Sequence, residues 1–180
     1  ISWDLQSPNA PSWGCIIFDS EEDGSGNLWL ATNVGTKIWH PGKNKLLPTP
    51  LPDSLANQSV FDILVDRQQI LWLAFQHKGL AYLDIKNNYT RHFQRSPYLV
   101  NGLASDQLSS LMLDKAGNLW IGMTGGCQKI NLSAVKFPLY QIKPNMEASE
   151  NTIYRVHQDN KGGIWTTTLN GKLFYAHALG

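Results

Sequence analysis

One nine-residue unit recurs four times along the chain. It reads DKAGNLWIG from Asp114, and its relatives are DGSGNLWLA from Asp23, DRQQILWLA from Asp66 and DNKGGIWTT from Asp159. Every copy has a tryptophan six residues after the aspartate: Trp29, Trp72, Trp120 and Trp165. The tryptophans are 43, 48 and 45 residues apart. Nearly constant spacing of this kind predicts a repeat protein in which each copy is one structural unit.

Short strands are expected within each unit. Apolar-rich segments precede the aspartates at 15–19, 60–66, 108–114 and 153–159, and a tryptophan-bearing strand follows each turn. Third segments lie at 36–40, 80–84, 127–132 and 172–177, and a weaker fourth follows in the first three repeats. We expect each aspartate to accept hydrogen bonds from turn amides. The four residues Ser20–Asp23 read as an insertion, which predicts a longer hairpin loop in the first repeat.

This pattern predicts an all-β protein, a β-propeller with four four-stranded blades, of which the last shows no fourth segment. The blades are expected at approximately 13–50, 58–95, 106–143 and 151–180. A β-sandwich would also give short strands, but it has no reason to repeat one aspartate–turn–tryptophan unit four times. Since the tryptophan is present in every unit, we expect it to fill the gap between neighbouring blades rather than to bind a ligand.

Charge and motif content narrow the function classes. The 180-residue chain has 15 Lys+Arg against 14 Asp+Glu and no basic cluster, which argues against nucleic acid as a partner. No segment is apolar enough to span a membrane. The sequence has no nucleophile elbow, phosphate-binding loop or metal-ligand spacing, so neither a catalytic residue, a metal nor a cofactor is predicted.

The third repeat also resembles a known family. Residues 102–126, GLASDQLSSLMLDKAGNLWIGMTGG, are similar to the two-component regulator propeller repeat, with Met123 as a departure. The resemblance implies an extracytoplasmic, periplasmic sensor region of a bacterial membrane receptor, either a two-component sensor kinase or a diguanylate cyclase. It implies a non-enzymatic ligand-sensing module, in some relatives for polysaccharide fragments. It carries over no catalytic residues.

The resemblance also implies that propellers of this kind have about seven blades. Four repeats then predict a fragment of a larger propeller, and residues 1–12 are expected to supply an outer strand to a preceding blade or to close a four-bladed ring. Membrane attachment would come only through segments outside this chain. A homodimer that covers the two outer blade faces is a further expectation.

Candidate ligand-binding residues lie in the loops at one end of the blades. Polar side chains recur before the first strand of three repeats, and others lie in the turn after the tryptophan strand. A third set, Asp62 and Arg155 with Ser110, lies four residues before the repeat aspartate. The predicted ligand-binding residues are Asn57, Gln58, Asp106, Gln107, Glu150, Asn151, His77, Thr124, Asn170, Asp62 and Arg155. Amides, hydroxyls and carboxylates suit a neutral polar small molecule such as an oligosaccharide.

Two other functions remain open from sequence. The first is a propeller enzyme, either a quinoprotein dehydrogenase or a lyase, although quinoprotein repeats place their tryptophan after a different turn. A histidine paired with an acid at one end of the propeller would favour it. The second is a protein-interaction scaffold, which the lack of Gly-His and Trp-Asp dipeptides disfavours.

Overall fold

The computed structural model describes residues 14–96, 102–132, 139–140 and 152–176, which form four separate antiparallel sheets. Blade 1 contains β1 (Ile17–Glu22), β2 (Leu28–Thr32), β3 (Lys37–His40) and β4 (Lys45–Leu47). Blade 2 contains β5 (Val60–Val65), β6 (Ile70–Phe75), β7 (Gly79–Asp84) and β8 (Tyr89–Phe93). Blade 3 contains β9 (Leu108–Leu113), β10 (Leu119–Met123), β11 (Gly126–Ile130) and β12 (Leu139–Tyr140). Blade 4 contains β13 (Ile153–Gln158), β14 (Ile164–Thr168) and β15 (Leu173–Ala176).

Within each sheet the strands lie side by side in chain order, so every blade is an up-and-down meander. A 3-10 turn, Pro41–Lys43, joins β3 to β4, and the single-turn helix α1 (Asp53–Ala56) lies between blades 1 and 2. The first strands of successive blades, β1, β5, β9 and β13, are neighbours in space. The all-β propeller architecture predicted from the repeats is therefore confirmed. The expected role of residues 1–12 lies outside the described residues.

The blades pack face to face through the repeat tryptophans. Trp29 is buried in a core with Ile63 and Leu71 of blade 2, and Trp72 is buried against Leu111 and Leu119 of blade 3. Trp120 is buried with Val156 of blade 4. The half-buried Trp165 packs on Tyr175 of its own blade, with ring centroids 4.6 Å apart. The predicted packing role is confirmed at the three blade interfaces within the described residues.

Each repeat aspartate also fixes the ring that follows it six residues later. The indole Nε1 donates to the aspartate Oδ2 in all four units, at 2.8, 3.1, 3.0 and 3.1 Å from blade 1 to blade 4. The other carboxylate oxygen, Oδ1, accepts backbone amides of the turn, as expected from sequence; in blade 2 these are Gln68 and Ile70. We call each such pair an Asp–Trp clamp. One side chain thus closes the hairpin and orients the ring that packs on the next blade.

The prediction of a longer first hairpin loop was wrong. Residues 20–22 belong to β1, which continues to Glu22, and the turn begins at Asp23 as in the other blades. Asp19 is therefore the equivalent of Asp62, because the two pair with Ala31 and Ala74 at the same register. Ser110 and Arg155 occupy this position in blades 3 and 4. Residues 19–22 are all polar and so resemble a loop in sequence, but residues 20–22 pair with residues 28–30 of β2.

No helix among residues 14–96, 102–132 and 152–176 combines the length and hydropathy required to cross a membrane.

Candidate functional site

A cavity of about 360 Å³ lies at the end of the blades where the first strands begin. We call it the blade-end cavity. Its walls come from the starts of β9 and β13 and from the turns after β6, β10 and β14, including Leu108, Ile153 and Leu169. In every blade, one backbone hydrogen bond joins the turn after the second strand to the residue directly before the first strand. In blade 3 this bond runs from the Thr124 amide to the Gln107 carbonyl, at 3.2 Å.

Aromatic side chains enter the blade-end cavity from three blades. Phe18, Phe61 and Tyr154 all line it, and each lies at a β-bulge five residues before its repeat aspartate. A bulged residue is unpaired and its strand bends, which turns the side chain out of the regular alternation. The Phe18 and Phe61 rings contact edge to face, with centroids 4.9 Å apart. Blade 3 has Ser109 at the same position.

The polar part of the lining is made of amides, hydroxyls, one imidazole and one guanidinium. The Thr124 hydroxyl donates to Gln107 Oε1 at 3.1 Å, and Gln76, His77 and Thr152 lie around them. Arg155 Nη1 donates to two backbone carbonyls, of Ser109 and of Tyr154, both at 3.3 Å. The guanidinium carbon lies 4.8 Å from the centroid of the Tyr154 ring. The arrangement offers ring faces beside fixed hydrogen-bonding groups.

Four residues predicted from sequence meet in this cavity: Gln107, His77, Thr124 and Arg155. The structure places others away from its lining. Asn57 is exposed at the carboxyl end of α1, with Gln58 beside it, and Asn170 accepts from the Thr168 hydroxyl inside its own turn. Asp106 accepts the Arg95 amide at 2.7 Å. Glu150 and Asn151 lie outside the described residues, and ligand binding by all of these residues stays a prediction.

Asp62 joins neighbouring blades instead of lining the cavity. Its Oδ2 accepts the Leu111 amide of blade 3 at 2.8 Å, and Asp19 Oδ2 accepts the Ile63 amide of blade 2 at 3.2 Å. Burial raises the pKa of Asp62 to about 8, with a further contribution from the hydrogen bond and repulsion of Asp19, while the Leu111 amide and Arg155 act in the opposite direction. Asp62 is therefore protonated more readily than an ordinary carboxyl, and a proton on it suits its hydrogen bond with Asp19.

The aromatic members of the cavity were not predicted as site residues. A signal exists for two of them, because Phe61 and Tyr154 directly precede Asp62 and Arg155 of the polar set already singled out. Phe18 precedes Asp19, which the insertion hypothesis left out of that set. The signal was overlooked because aromatic residues are ordinary in strands, and a bulge that redirects them depends on hydrogen-bond register rather than on residue type.

No group of three or more His, Cys, Asp or Glu side chains with the geometry to hold a metal ion occurs within the part of the chain that the structure describes.

Comparison with known proteins supports the propeller assignment. Residues 102–125 match the sequence profile described as two component regulator propeller, so the resemblance expected for the third repeat is confirmed. No curated protein matches the chain in sequence.

Among solved structures, the chain is similar to the extracellular domain of BT3049 from B. thetaiotaomicron, described as a hybrid two component system, with a TM-score of 0.77 and 15% identity over 90% of this chain and 23% of that one. It is similar to the extracellular domain of BT4673 from the same organism, described as a one component system (TM-score 0.70, 19% identity, 88% and 21% covered). It is also similar to virginiamycin B lyase from Staphylococcus aureus (TM-score 0.63, 15% identity, 96% and 57% covered). The chain spans less than a quarter of the length of the two sensor domains, and the likeness establishes the fold.

Proposed function

We propose that this chain is the ligand-binding propeller module of a bacterial membrane-bound signalling receptor, acts on the extracytoplasmic side, and binds carbohydrate without chemical turnover. The observation that carries the proposal is the blade-end cavity, which combines aromatic faces with fixed amide, hydroxyl and guanidinium groups. Ligand sites are concave, largely apolar and provided with a few convergent polar groups. Sugars need both parts, because their C–H faces rest on rings and their hydroxyls exchange hydrogen bonds.

Two comparisons support a role in a signalling receptor. The third repeat matches the two component regulator propeller profile, and the similar solved structures include extracellular domains of one component and hybrid two component systems. A periplasmic position, a kinase or cyclase output domain and attachment to the membrane through other segments follow from that context as parts of the proposal.

Direct binding tests this function. We expect isothermal titration calorimetry of the 180-residue chain with a panel of oligosaccharides to give saturable binding for at least one member. Tyr154→Ala removes a half-exposed ring from the cavity and should weaken that binding by up to about tenfold, since a ring contact contributes about 0.5–1.5 kcal/mol. Tyr89→Ala removes a similarly exposed tyrosine from β8, outside the cavity lining, and should leave binding unchanged.

Two results would overturn the proposal. The first is an absence of binding to any oligosaccharide by the folded chain. The second is conversion of a bound sugar to new products, detected by mass spectrometry, which would favour the lyase alternative. His77 is the histidine that lines the cavity, so His77→Ala would then have to abolish conversion.

A further inference from the structure

We infer that the blade-end cavity selects sugars that carry a carboxylate, such as uronic acid residues, and that Arg155 binds this carboxylate. The inference rests on the proposed carbohydrate-binding function and names its ligand class. It differs from the expectation of a neutral ligand, which assumed that carboxylates would contribute to the lining.

The charged group in the cavity lining is positive. Among the described residues that form the cavity, Arg155 is the one Lys, Arg, Asp or Glu. Two acidic residues predicted to bind the ligand do not line the cavity. Asp106 accepts the Arg95 amide, and Asp62 accepts the Leu111 amide between blades. A cavity with one fixed cation and apolar walls favours an anionic group over a neutral one.

The Arg155 side chain is held in place by its neighbours. Two backbone carbonyls hold Nη1, and the Tyr154 ring lies under the guanidinium, so the side chain is oriented without any carboxylate contact within the described residues. No acceptor among the described residues bonds Nη2 or Nε, so this edge of the planar fork is open to a ligand. A carboxylate accepts two parallel N–H bonds from such a fork, a match that a sugar hydroxyl cannot make.

The buried carboxyl of Asp62 competes weakly with a ligand for Arg155. Arg155 favours the ionised form of Asp62, but burial and Asp19 raise the pKa of Asp62 to about 8 and so disfavour that form. The guanidinium itself is charged at any pH near neutrality.

The rest of the lining suits the remainder of a uronic acid residue. The rings of Phe18 and Phe61 form an edge-to-face pair, and the same lining contains the hydrogen-bonded Gln107 and Thr124. A pyranose ring presents C–H groups to such a surface, while its ring hydroxyls reach amides and hydroxyls. The carboxylate at C5 then lies at the edge of the sugar, where a guanidinium can meet it.

The test compares ligands that differ in charge alone. Oligogalacturonate, alginate and hyaluronan fragments are titrated into the 180-residue chain at pH 7, each beside its carboxyl methyl ester. We expect at least one acid to bind roughly tenfold or more tightly than its ester, with affinity falling as salt is raised.

Substitutions of Arg155 test whether this side chain causes the preference for the acid over the ester. Arg155→Met should bring the acid down to the affinity of the ester, while Arg155→Lys should restore part of the preference. Arg91→Met is the matched control, because Arg91 also lies over a ring, Phe93 at 5.0 Å, but on β8 outside this cavity. Circular dichroism establishes that each variant is folded before it is titrated.

The outcomes separate the two claims. Equal affinity for acid and ester, or an acid preference that survives Arg155→Met, overturns the selection of carboxylates and leaves carbohydrate binding in place. Failure of all acids, esters and neutral oligosaccharides to bind overturns both.

Discussion

The interface between blades 2 and 3 and the interface between blades 3 and 4 are built from the same repeat but differ in composition. At the first, Trp72 packs with buried aliphatic residues of both blades, and Asp62 bonds the Leu111 amide across the gap. At the second, the described core around Trp120 is smaller. The equivalent of Asp62 is Ser110, whose buried hydroxyl has no hydrogen-bond partner within the described residues.

The middle strands account for much of this difference. Ile121 and Met123 of β10 are fully buried at the interface between blades 2 and 3, whereas the corresponding residues of β14 are Thr166 and Thr168. A threonine buries less apolar surface than isoleucine or methionine, so blade 4 gains less from packing on blade 3. One repeat unit thus gives interfaces of unequal strength, set by the positions that vary around the Asp–Trp clamp.

The largest expected effect separates the tryptophans. Trp72→Ala should cost about 3–5 kcal/mol of unfolding free energy, because the ring is buried between two blades. Trp165→Ala should cost clearly less, since that ring is half-buried and packs on Tyr175 of its own blade. Urea unfolding followed by far-ultraviolet circular dichroism measures both. Equal losses would contradict this ranking, because they would show that the Trp72 and Trp165 rings contribute equally to stability.

The Asp–Trp clamps should differ in the same direction. Asp66→Asn places an amide nitrogen against either the Trp72 indole or the turn amides, and should destabilise by about 1–3 kcal/mol. Asp159→Asn changes the same contacts in blade 4, but the more exposed Asp159 can replace them with water, and the loss should be smaller. Chemical denaturation of the two variants side by side tests this ranking, and its reversal would contradict it.

The burial of Asp62 between blades predicts a pH dependence of stability. The folded pKa of Asp62, about 8, is above its ordinary value, so the folded chain binds this proton more tightly than the unfolded chain. Its contribution to stability is complete below about pH 4 and is lost as pH rises toward and through 8.

Asp62→Asn keeps an acceptor for the Leu111 amide and removes the titration. Thermal melts between pH 5 and pH 9 should therefore fall less steeply for the variant than for the wild-type chain. Parallel melting curves for the two would rule out this role for Asp62.

The smallest effect should come from filling blade 4. Thr166→Val removes a hydroxyl from a buried position that holds Leu73 in blade 2, and we expect a gain of about 0.5–1 kcal/mol. Thr168→Val is the matched control and should destabilise, because the Thr168 hydroxyl accepts the Lys172 amide at 3.1 Å. Hydrogen exchange of amides in β13 and β15 reports the change locally; faster exchange in the first variant would contradict the prediction.

Much of the fold could be predicted because its signal is local and repeated. The spacing of Asp66 and Trp72 recurs in every blade, and each copy supports the others. The candidate site was harder to predict. Gln107 and Thr124 were identified from loop position, but Asp106 beside Gln107 has the same polar character and bonds the Arg95 amide instead. Neighbouring polar residues of one loop have side chains that point in different directions. The residue type alone does not predict which of them faces the cavity.

The sequence by itself determined the strand pattern, the hairpin turns and the tryptophans that pack between blades, because these depend on residues close to one another in the chain. Tertiary structure decided the indole bond of each clamp, the place of Asp19 beside Asp62, and the convergence of Phe18, Phe61 and Tyr154 on one cavity. The last two join residues more than 40 positions apart. Such meetings depend on how one blade is rotated onto the next and on where each first strand bulges, and both follow from the packing of whole sheets.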